Sequence, residues 1–268
     1  MRFRPAVVSA VAISLAALAF AGRARAAAEV HRFSLMLSAI PTSVDGGDFN
    51  DEVDRYNMIH LDPRGLEDLS HLQFGWAYDA ELRYFARPNF ALAVGLTQLR
   101  AAQTKDYLPA ISQDVSLHTE IITVPVHVGV AYYLQPYNQG DFQARAFVGG
   151  GVMQYTHTRA TLEQELFNAD SVLTTTWGGT SKYVLTQDAP GYYLECGAQM
   201  FFANQYTVLI SAVYRSGVLD NMRVEQSLVN GVSVGYPNPG PVAVNSKGQP
   251  YQLDVGGLGL RMCIGIGF

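Results

Sequence analysis

Large apolar side chains return at every second residue along most of this chain, and the runs end at polar stretches that are alternately long and short. The closing run shows the pattern best. Leu258, Leu260, Met262, Ile264, Ile266 and Phe268 alternate with Gly259, Arg261, Cys263, Gly265 and Gly267. A period of two is the spacing of a β-strand with two different faces. Here one face is continuously apolar, the other is small or polar, and the run ends on an aromatic residue.

Seven earlier runs share the pattern. The first, about Val30 to Ile40, sets Phe33, Leu35 and Leu37 against Arg32, Ser34 and Ser38. The second, about Leu72 to Phe85, sets Leu72, Phe74, Trp76, Tyr78, Ala80, Leu82 and Tyr84 against Gln73, Gly75, Ala77, Asp79, Glu81, Arg83 and Phe85. The third has Phe90, Leu92, Val94 and Leu96 opposite Ala91, Ala93, Gly95 and Thr97. The fourth has Ile122, Val124, Val126, Val128, Val130 and Tyr132 opposite Thr123, Pro125, His127 and Gly129. In the fifth, Phe142, Ala144, Ala146, Val148 and Val152 oppose Gln143, Arg145, Phe147, Gly149 and Gly151. In the sixth, Tyr192, Leu194, Cys196, Ala198, Met200 and Phe202 oppose Tyr193, Glu195, Gly197, Gln199 and Phe201. The seventh carries Tyr206, Val208, Ile210, Ala212 and Tyr214 on its apolar face.

Short turns are expected at Arg87-Pro88-Asn89, Gln135 to Gly140 and Ala203-Asn204-Gln205, where proline fixes φ and asparagine tolerates a left-handed backbone. Long loops are expected over Pro41 to His71, Arg100 to Leu117, Thr158 to Ala189 and Ser216 to Pro250. Two places break the pattern. Pro125 lacks the N–H that a closed sheet needs, which predicts a bulge or break. Tyr251, Leu253 and Val255 are odd-numbered, whereas the apolar face from Leu258 onward is even-numbered, which predicts a glycine bulge at Gly256-Gly257.

Eight strands with alternating short and long connections predict an all-β, eight-stranded antiparallel transmembrane β-barrel with short periplasmic turns and long extracellular loops. The aromatic positions agree. At the short-turn ends of the strands the apolar face carries Tyr84, Phe90, Tyr132, Phe142, Phe202, Tyr206 and Phe268, with Phe33 nearby. A ring of outward aromatics is the mark of a membrane interface. Trp76, Tyr78, Tyr192 and Tyr214 are placed for the opposite belt.

Composition narrows the class further. Charged residues are 15% and aromatics 11% of the 268 residues, and the mean hydropathy is +0.07. Arg2 and Arg4 precede an apolar stretch from Ala6 to Phe20, and Ala24-Arg25-Ala26 offers a cleavage site, so residues 1–26 read as a secretory signal peptide and 27–268 as the barrel domain. Removing four arginines from 18 basic side chains leaves 14 against 23 acidic ones, a net charge of −9. Such a balance argues against nucleic-acid binding. Cys196 faces lipid and Cys263 the interior on strands that are not neighbours, so no disulfide is expected.

The strand plan, the exported precursor and the terminal Phe268 resemble the small eight-stranded outer-membrane barrels: the OmpA transmembrane domain and its OmpX and OmpW relatives. The resemblance covers essentially the whole mature chain and rests on pattern rather than on a fingerprint. It implies a monomer in the outer membrane, contacts with outer-membrane lipid and lipopolysaccharide, and assembly-machinery recognition of the last strand. No segment beyond the barrel is expected here, so the cell-wall tethering of full-length OmpA does not carry over.

Candidate chemistry lies on the inward face, which holds Arg32, Asp79, Glu81, Arg83, His127, Arg145, Glu195 and Arg261. Buried charges must pair, and a lumen of eight strands is just filled by side chains. A plug of ion pairs is therefore expected, with Arg145 and Arg261 holding Glu195 or Glu81; a gated pore is the competing reading. Asp45, Asp48, Asp51, Glu52 and Asp54 offer hard oxygen ligands but lack the EF-hand spacing, so no metal is expected. His118 and His157, with Ser116 or Ser171, are the only candidates for a hydrolytic dyad, and no motif supports one. The sequence thus predicts no catalytic residue and no cofactor. It predicts a structural or surface-interaction barrel; the alternatives are a narrow conduit for small or apolar molecules, as in OmpW, and a lipid A-modifying enzyme.

Overall fold

The structure is a computed structural model, and it describes residues 32–268 apart from 111–112, 140–141, 168–178, 203–204, 230–231 and 237–238. The expected signal peptide lies outside the described residues, as do Ser171 and part of the turn at Ala203-Asn204.

Eight strands form the wall: β1 Phe33–Ser43, β2 Phe74–Arg87, β3 Phe90–Ala110, β4 Gln113–Tyr133, β5 Phe142–Phe167, β6 Ser181–Phe202, β7 Tyr206–Ser216 and β8 Gly257–Gly267. Each pairs antiparallel with the next, and β8 pairs with β1 to close the ring. Closure leaves the ring of strands without an open sheet edge, which a lipid environment demands. Following paired residues around the ring fixes its geometry. Phe33 leads to Tyr84, Leu92, Val130, Gly150, Leu194, Tyr214 and Leu258. The Thr42–Gly259 pair then sets Leu258 opposite Ser43, so one circuit climbs ten residues, from 33 to 43. A shear of ten on eight strands, at ~3.3 Å per residue and ~4.8 Å between strands, tilts the strands by about 40°.

The apolar face points outward along the band. Leu35, Leu37, Val94, Val128, Ile210, Ile264 and their equivalents are exposed, whereas Ser34, Ser38, Glu81, Arg83 and Arg261 are buried inside. Aromatic side chains gather at the short-turn rim. Phe33 packs on Tyr84 at 5.1 Å and on Phe268 at 5.9 Å between ring centroids, and Phe142 on Phe202 at 5.3 Å. Phe90 is paired with Tyr132, and Phe202 with Tyr206. At the other rim Trp76 lies 6.5 Å from Tyr78, and Tyr192 6.3 Å from Tyr214.

Two of the expected long loops, 100–117 and 158–189, are largely strand, and 216–250 is partly so. β3 to β6 run 21, 21, 26 and 22 residues, against 11, 14, 11 and 11 for the others. The sheet therefore rises on one side as a tall wall, and Arg223–Val229 with Val232–Gly235 extends it by pairing on β6. Ten added residues at about 40° of tilt gain roughly 25 Å of height. The hydrophobic pattern inverts at this level. On β4, Val126, Val128 and Val130 face outward within the band, but Val115, Leu117 and Ile121 face inward above it. Below, the outside is lipid and the lumen carries the polar and charged side chains, with an apolar cluster of Met36, Phe85, Tyr133 and Phe147 at its short-turn end; above, the outside is water and the inside must be apolar.

What fills that inside is the remaining correction. The first long loop contains a helix, α1 Asp48–Tyr56, which buries Phe49 and Val53. These pack with Val44, Leu61, Leu69, Leu117, Tyr155, Leu253 and Val255 in one apolar cluster. Tyr251, Leu253 and Val255 belong to this cap and not to the last barrel strand: Leu253–Asp254 pairs with Val218–Leu219 in a separate two-stranded sheet. The parity change at Gly256-Gly257 is thus the passage from cap to wall rather than a bulge within a strand. Near Pro125 the register between β4 and β5 shifts between Ile122 and Val124, and His157 opposite adopts φ 51°.

Candidate functional site

The site is the lumen. Arg261 from β8 is its centre, and parity on a half-lipid, half-polar strand is what sends it inward. Its Nη2 donates to Asp79 at 2.6 Å, its Nη1 to Glu81 at 3.0 Å and Glu195 at 3.3 Å, and its Nε to Ser38 Oγ at 2.9 Å. Arg83 joins Glu81 directly and Glu195 at 3.0 Å, and donates to Tyr133 Oη at 2.7 Å. Asp79 also accepts from Thr97 at 2.8 Å and lies 2.8 Å from His127 Nε2. Glu195 accepts from Ser211 at 2.6 Å, and Tyr133 donates to Gln199 at 2.5 Å. Each carboxylate is thus met by at least two donors, the condition under which buried charge is tolerated. Glycine makes the room: a Cβ on Gly95 would collide with the His127 imidazole, and one on Gly129 with the Tyr193 hydroxyl.

Of the eight residues expected here, Asp79, Glu81, Arg83, His127, Glu195 and Arg261 meet. Arg145 does not hold Glu195 or Glu81. It lies near the short-turn rim, donates to Gln143 at 2.7 Å and to the Pro88 carbonyl, and stacks 5.7 Å above Phe201. Arg32 is exposed just before β1 and joins none of these pairs. Arg215 is the member that sequence reading passed over. It is buried on β7 and donates to Thr42 Oγ1 at 2.8 Å, and the parity of Tyr214 outward already sends it inward.

Asp79, Glu81 and His127 present ligand atoms within 4.8 Å of one another. The guanidinium of Arg261 already neutralises both carboxylates there, so the set reads as an ion-pair cluster. The acids of the first loop are spread over separate tasks. Asp48 accepts from the Gln252 amide at 2.8 Å, Asp51 lies 3.2 Å from Lys247, and Asp54 lies 2.6 Å from His71. Above the band, burial and then Glu67 and Asp68 push the Tyr107 phenol up to about 12. Burial also raises the Asp254 carboxyl, the Gly256 amide opposes, and Asp45 adds to the rise.

His118 Nδ1 lies 2.8 Å from Thr104 Oγ1, and its Nε2 is 4.0 Å from Glu120. This hydroxyl–imidazole–carboxylate line sits on the outer face of the tall wall, where β3 and β4 are simple cross-strand neighbours. His157 is exposed at the β5 irregularity, its amide donating to Asp188 at 3.1 Å.

A closed antiparallel ring, ten residues of shear, lipid-compatible side chains outside, ion pairs inside and aromatics at both rims admit one architecture. The chain is a small outer-membrane-type β-barrel. No family model matches the barrel, and no curated protein does. Solved structures similar to it include Neisserial surface protein A, at 12% identity and a TM-score of 0.40 over 88% of this chain and 97% of that one. Ail, the attachment invasion locus protein of Yersinia pestis, matches at 10% and 0.37 over 89% and 99%. The outer membrane protease OmpT from Escherichia coli matches at 10% and 0.40 over 88% and 95%. At these identities and TM-scores no activity passes from any of the three, and the architecture rests on the barrel's own strand ring.

Proposed function

We propose that the barrel is a sealed protein of the outer membrane, with a structural or surface-interaction role carried by its tall wall and cap. The observation that supports this reading is a lumen obstructed at three successive levels. An apolar cluster of Met36, Phe85, Tyr133 and Phe147 lies near the short-turn rim, the ion-pair cluster around Arg261 fills the middle, and the apolar cap around Phe49, Val53, Leu253 and Val255 fills the extracellular end. None of these is a loose side chain: Phe147, Arg83, Glu81, Arg261, Phe49, Val53 and Leu253 are nearly fully buried. In this reading the protein is a monomer, its partners are outer-membrane lipid, lipopolysaccharide and the machinery that inserts the last strand, and it binds no nucleic acid and catalyses no reaction.

Planar-bilayer recording tests it. The purified protein is expected to stay at baseline, and so are Arg145→Ala and Glu195→Ala. Discrete openings of the wild-type protein would replace this reading by a conduit. Membrane insertion itself is read from a heat-dependent shift in gel mobility, expected between unboiled and boiled samples.

A further inference from the structure

The tall wall ends in an open edge. Val232–Gly235 pairs with Arg223–Val229 on one side, and among the described residues no strand pairs with its other side. Sheet edges are ordinarily blunted by charge, by proline or by a covering loop. On β3, at the other flank of the wall, the first loop is fastened to the strand: Lys105 Nζ donates to the Asp68 carbonyl at 2.9 Å and Tyr107 Oη to the Glu67 carbonyl at 2.8 Å. Val232–Gly235 has no such device. No charged residue occurs from Gln226 to Ser246, and Pro237, Pro239 and Pro241 come only after the strand.

The pairing fixes the side its valines take. Gln164 on β5 accepts from Tyr56 of α1, and it leads across the sheet to Ser181, Val229 and Val232. Leu162, packed on the cap, leads likewise to Tyr183, Ser227 and Val234. Directly opposed residues share a face, so Val229, Val232 and Val234 turn to the inner side. They are nonetheless 54%, 66% and 48% exposed. The cap stops short of them, and an apolar shelf is left beside the open edge.

This edge is complementary to itself. Val229 and Val232 are the last pair before a two-residue connection, so they bond to each other, and Ser233 and Gly235 turn their N–H and C=O to the open side. An antiparallel second copy centred on Val234 sets Ser233 against Gly235 and Gly235 against Ser233, each pair exchanging both bonds. Val234 then meets Val234 of the second copy on the inner side, in a close non-hydrogen-bonded pair. This register needs a two-fold axis perpendicular to the sheet, which inverts one barrel relative to the other. An axis along the membrane normal would cross the two strands at twice a tilt of about 40°, and no ladder would form. Charge points the same way. Two mature chains of −9 each repel, and the uncharged hairpin is where they can touch.

We propose that this edge pairs with the same edge of a second copy in a facing membrane, so that the barrel, a monomer in its own membrane, joins two surfaces. The pairing is one form of the surface interaction proposed above and rests on the tall wall being the extracellular side. Tyr183, on the row of Val234, lies nine residues above Tyr192 of the upper belt along β6, roughly 23 Å of height, so the facing belts stand about 46 Å apart. A single contact of this size is weak, and many between two surfaces add up.

The test uses the full mature chain, folded into phosphatidylcholine vesicles and first checked for the heat-dependent gel shift. A missing shift would overturn the membrane reading rather than this one. Light scattering then follows vesicle clustering. Wild-type vesicles are expected to scatter at least five-fold more than protein-free vesicles. Ser233→Pro removes only an edge-facing N–H, and Val234→Lys sets two cations together at the two-fold axis. Each is expected to keep the gel shift and to fall to the protein-free level; should one not fold, the other carries the comparison. Val234→Cys in a Cys196→Ser chain is expected to form a covalent dimer when clustered vesicles are oxidised, and Ser227→Cys, on the covered neighbouring strand, to form none. Wild-type vesicles that stay dispersed would leave the edge to a strand of another protein and overturn the proposal. Folded Ser233→Pro or Val234→Lys vesicles that cluster like wild type would overturn it as well.

Discussion

At the scale of residues, the lumen is held by a few multiply bonded side chains, and Arg261 is the most connected. It touches Asp79, Glu81, Glu195 and Ser38. Truncating it leaves three buried carboxylates short of a donor, and breaking such buried pairs costs about 3–5 kcal/mol. Arg261→Met is therefore expected to unfold at markedly lower urea concentration than wild type. Arg145→Gln should fall by about 1 kcal/mol or less, because its neighbours are an amide, a carbonyl and a ring. Similar losses for the two variants would mean that the ion pairs do not hold the lumen. Asp254 gives a prediction in pH. Burial raises its carboxyl above the value of 3.8 it has when free, so the folded chain binds that proton more tightly than the unfolded one. Stability is then greatest below that value and is lost as pH rises through the folded value. Asp254→Asn keeps an oxygen for the Gly256 amide and removes the charge. It should raise the thermal midpoint at pH 7 and leave it unchanged at pH 3; a lower midpoint at pH 7 would contradict the burial argument.

At the scale of elements, legibility in the sequence followed the solvent on each side of the sheet. Within the band one side is lipid, so Leu258 to Phe268 or Leu72 to Tyr84 announce both the strand and the direction of each side chain. The strand count and the inward parity of Asp79, Glu81, Arg83, His127, Glu195 and Arg261 came from this alone. Above the band the contrast reverses. Val115, Leu117 and Ile121 point inward while Ser116, His118 and Glu120 point to water. Read with the lipid-facing rule, these stretches look like loops, and the same reversal made Tyr251, Leu253 and Val255 look like a slipped strand. Helix α1 was missed because its apolar residues, Phe49 and Val53, are only two among acidic neighbours. Their burial nonetheless makes them the anchor of the cap. Phe49→Ala with Val53→Ala removes side chains whose loss typically costs several kcal/mol in a packed core. Limited proteolysis is expected to cut the segment 45–72 of this variant quickly while the gel shift of the barrel persists. Protection equal to wild type would show that α1 is not held by these two residues.

At the scale of the whole molecule, the interior stacks three layers along one axis: an apolar cluster of Met36, Phe85, Tyr133 and Phe147 near the short-turn rim, the ionic core around Arg261, and the apolar cap above the band. Removing any one layer alone should leave the lumen closed. Arg261→Ala and Phe49→Ala/Val53→Ala are each expected to remain silent in bilayers, and their combination with Phe147→Ala to be the first variant that leaks ions. Conductance from either one alone would mean that a single barrier carries the seal. The inequality of strand lengths has a separate effect on what the outside world can touch. With β3 to β6 standing tall and β7, β8, β1 and β2 ending near the belt, the molecule has a sheltered flank and an open one. A bulky visitor such as an antibody or a phage fibre, arriving along the membrane plane, is kept off the lipid by the wall on one side. It reaches the leaflet unhindered only from the other, so the barrel gives its neighbourhood a direction.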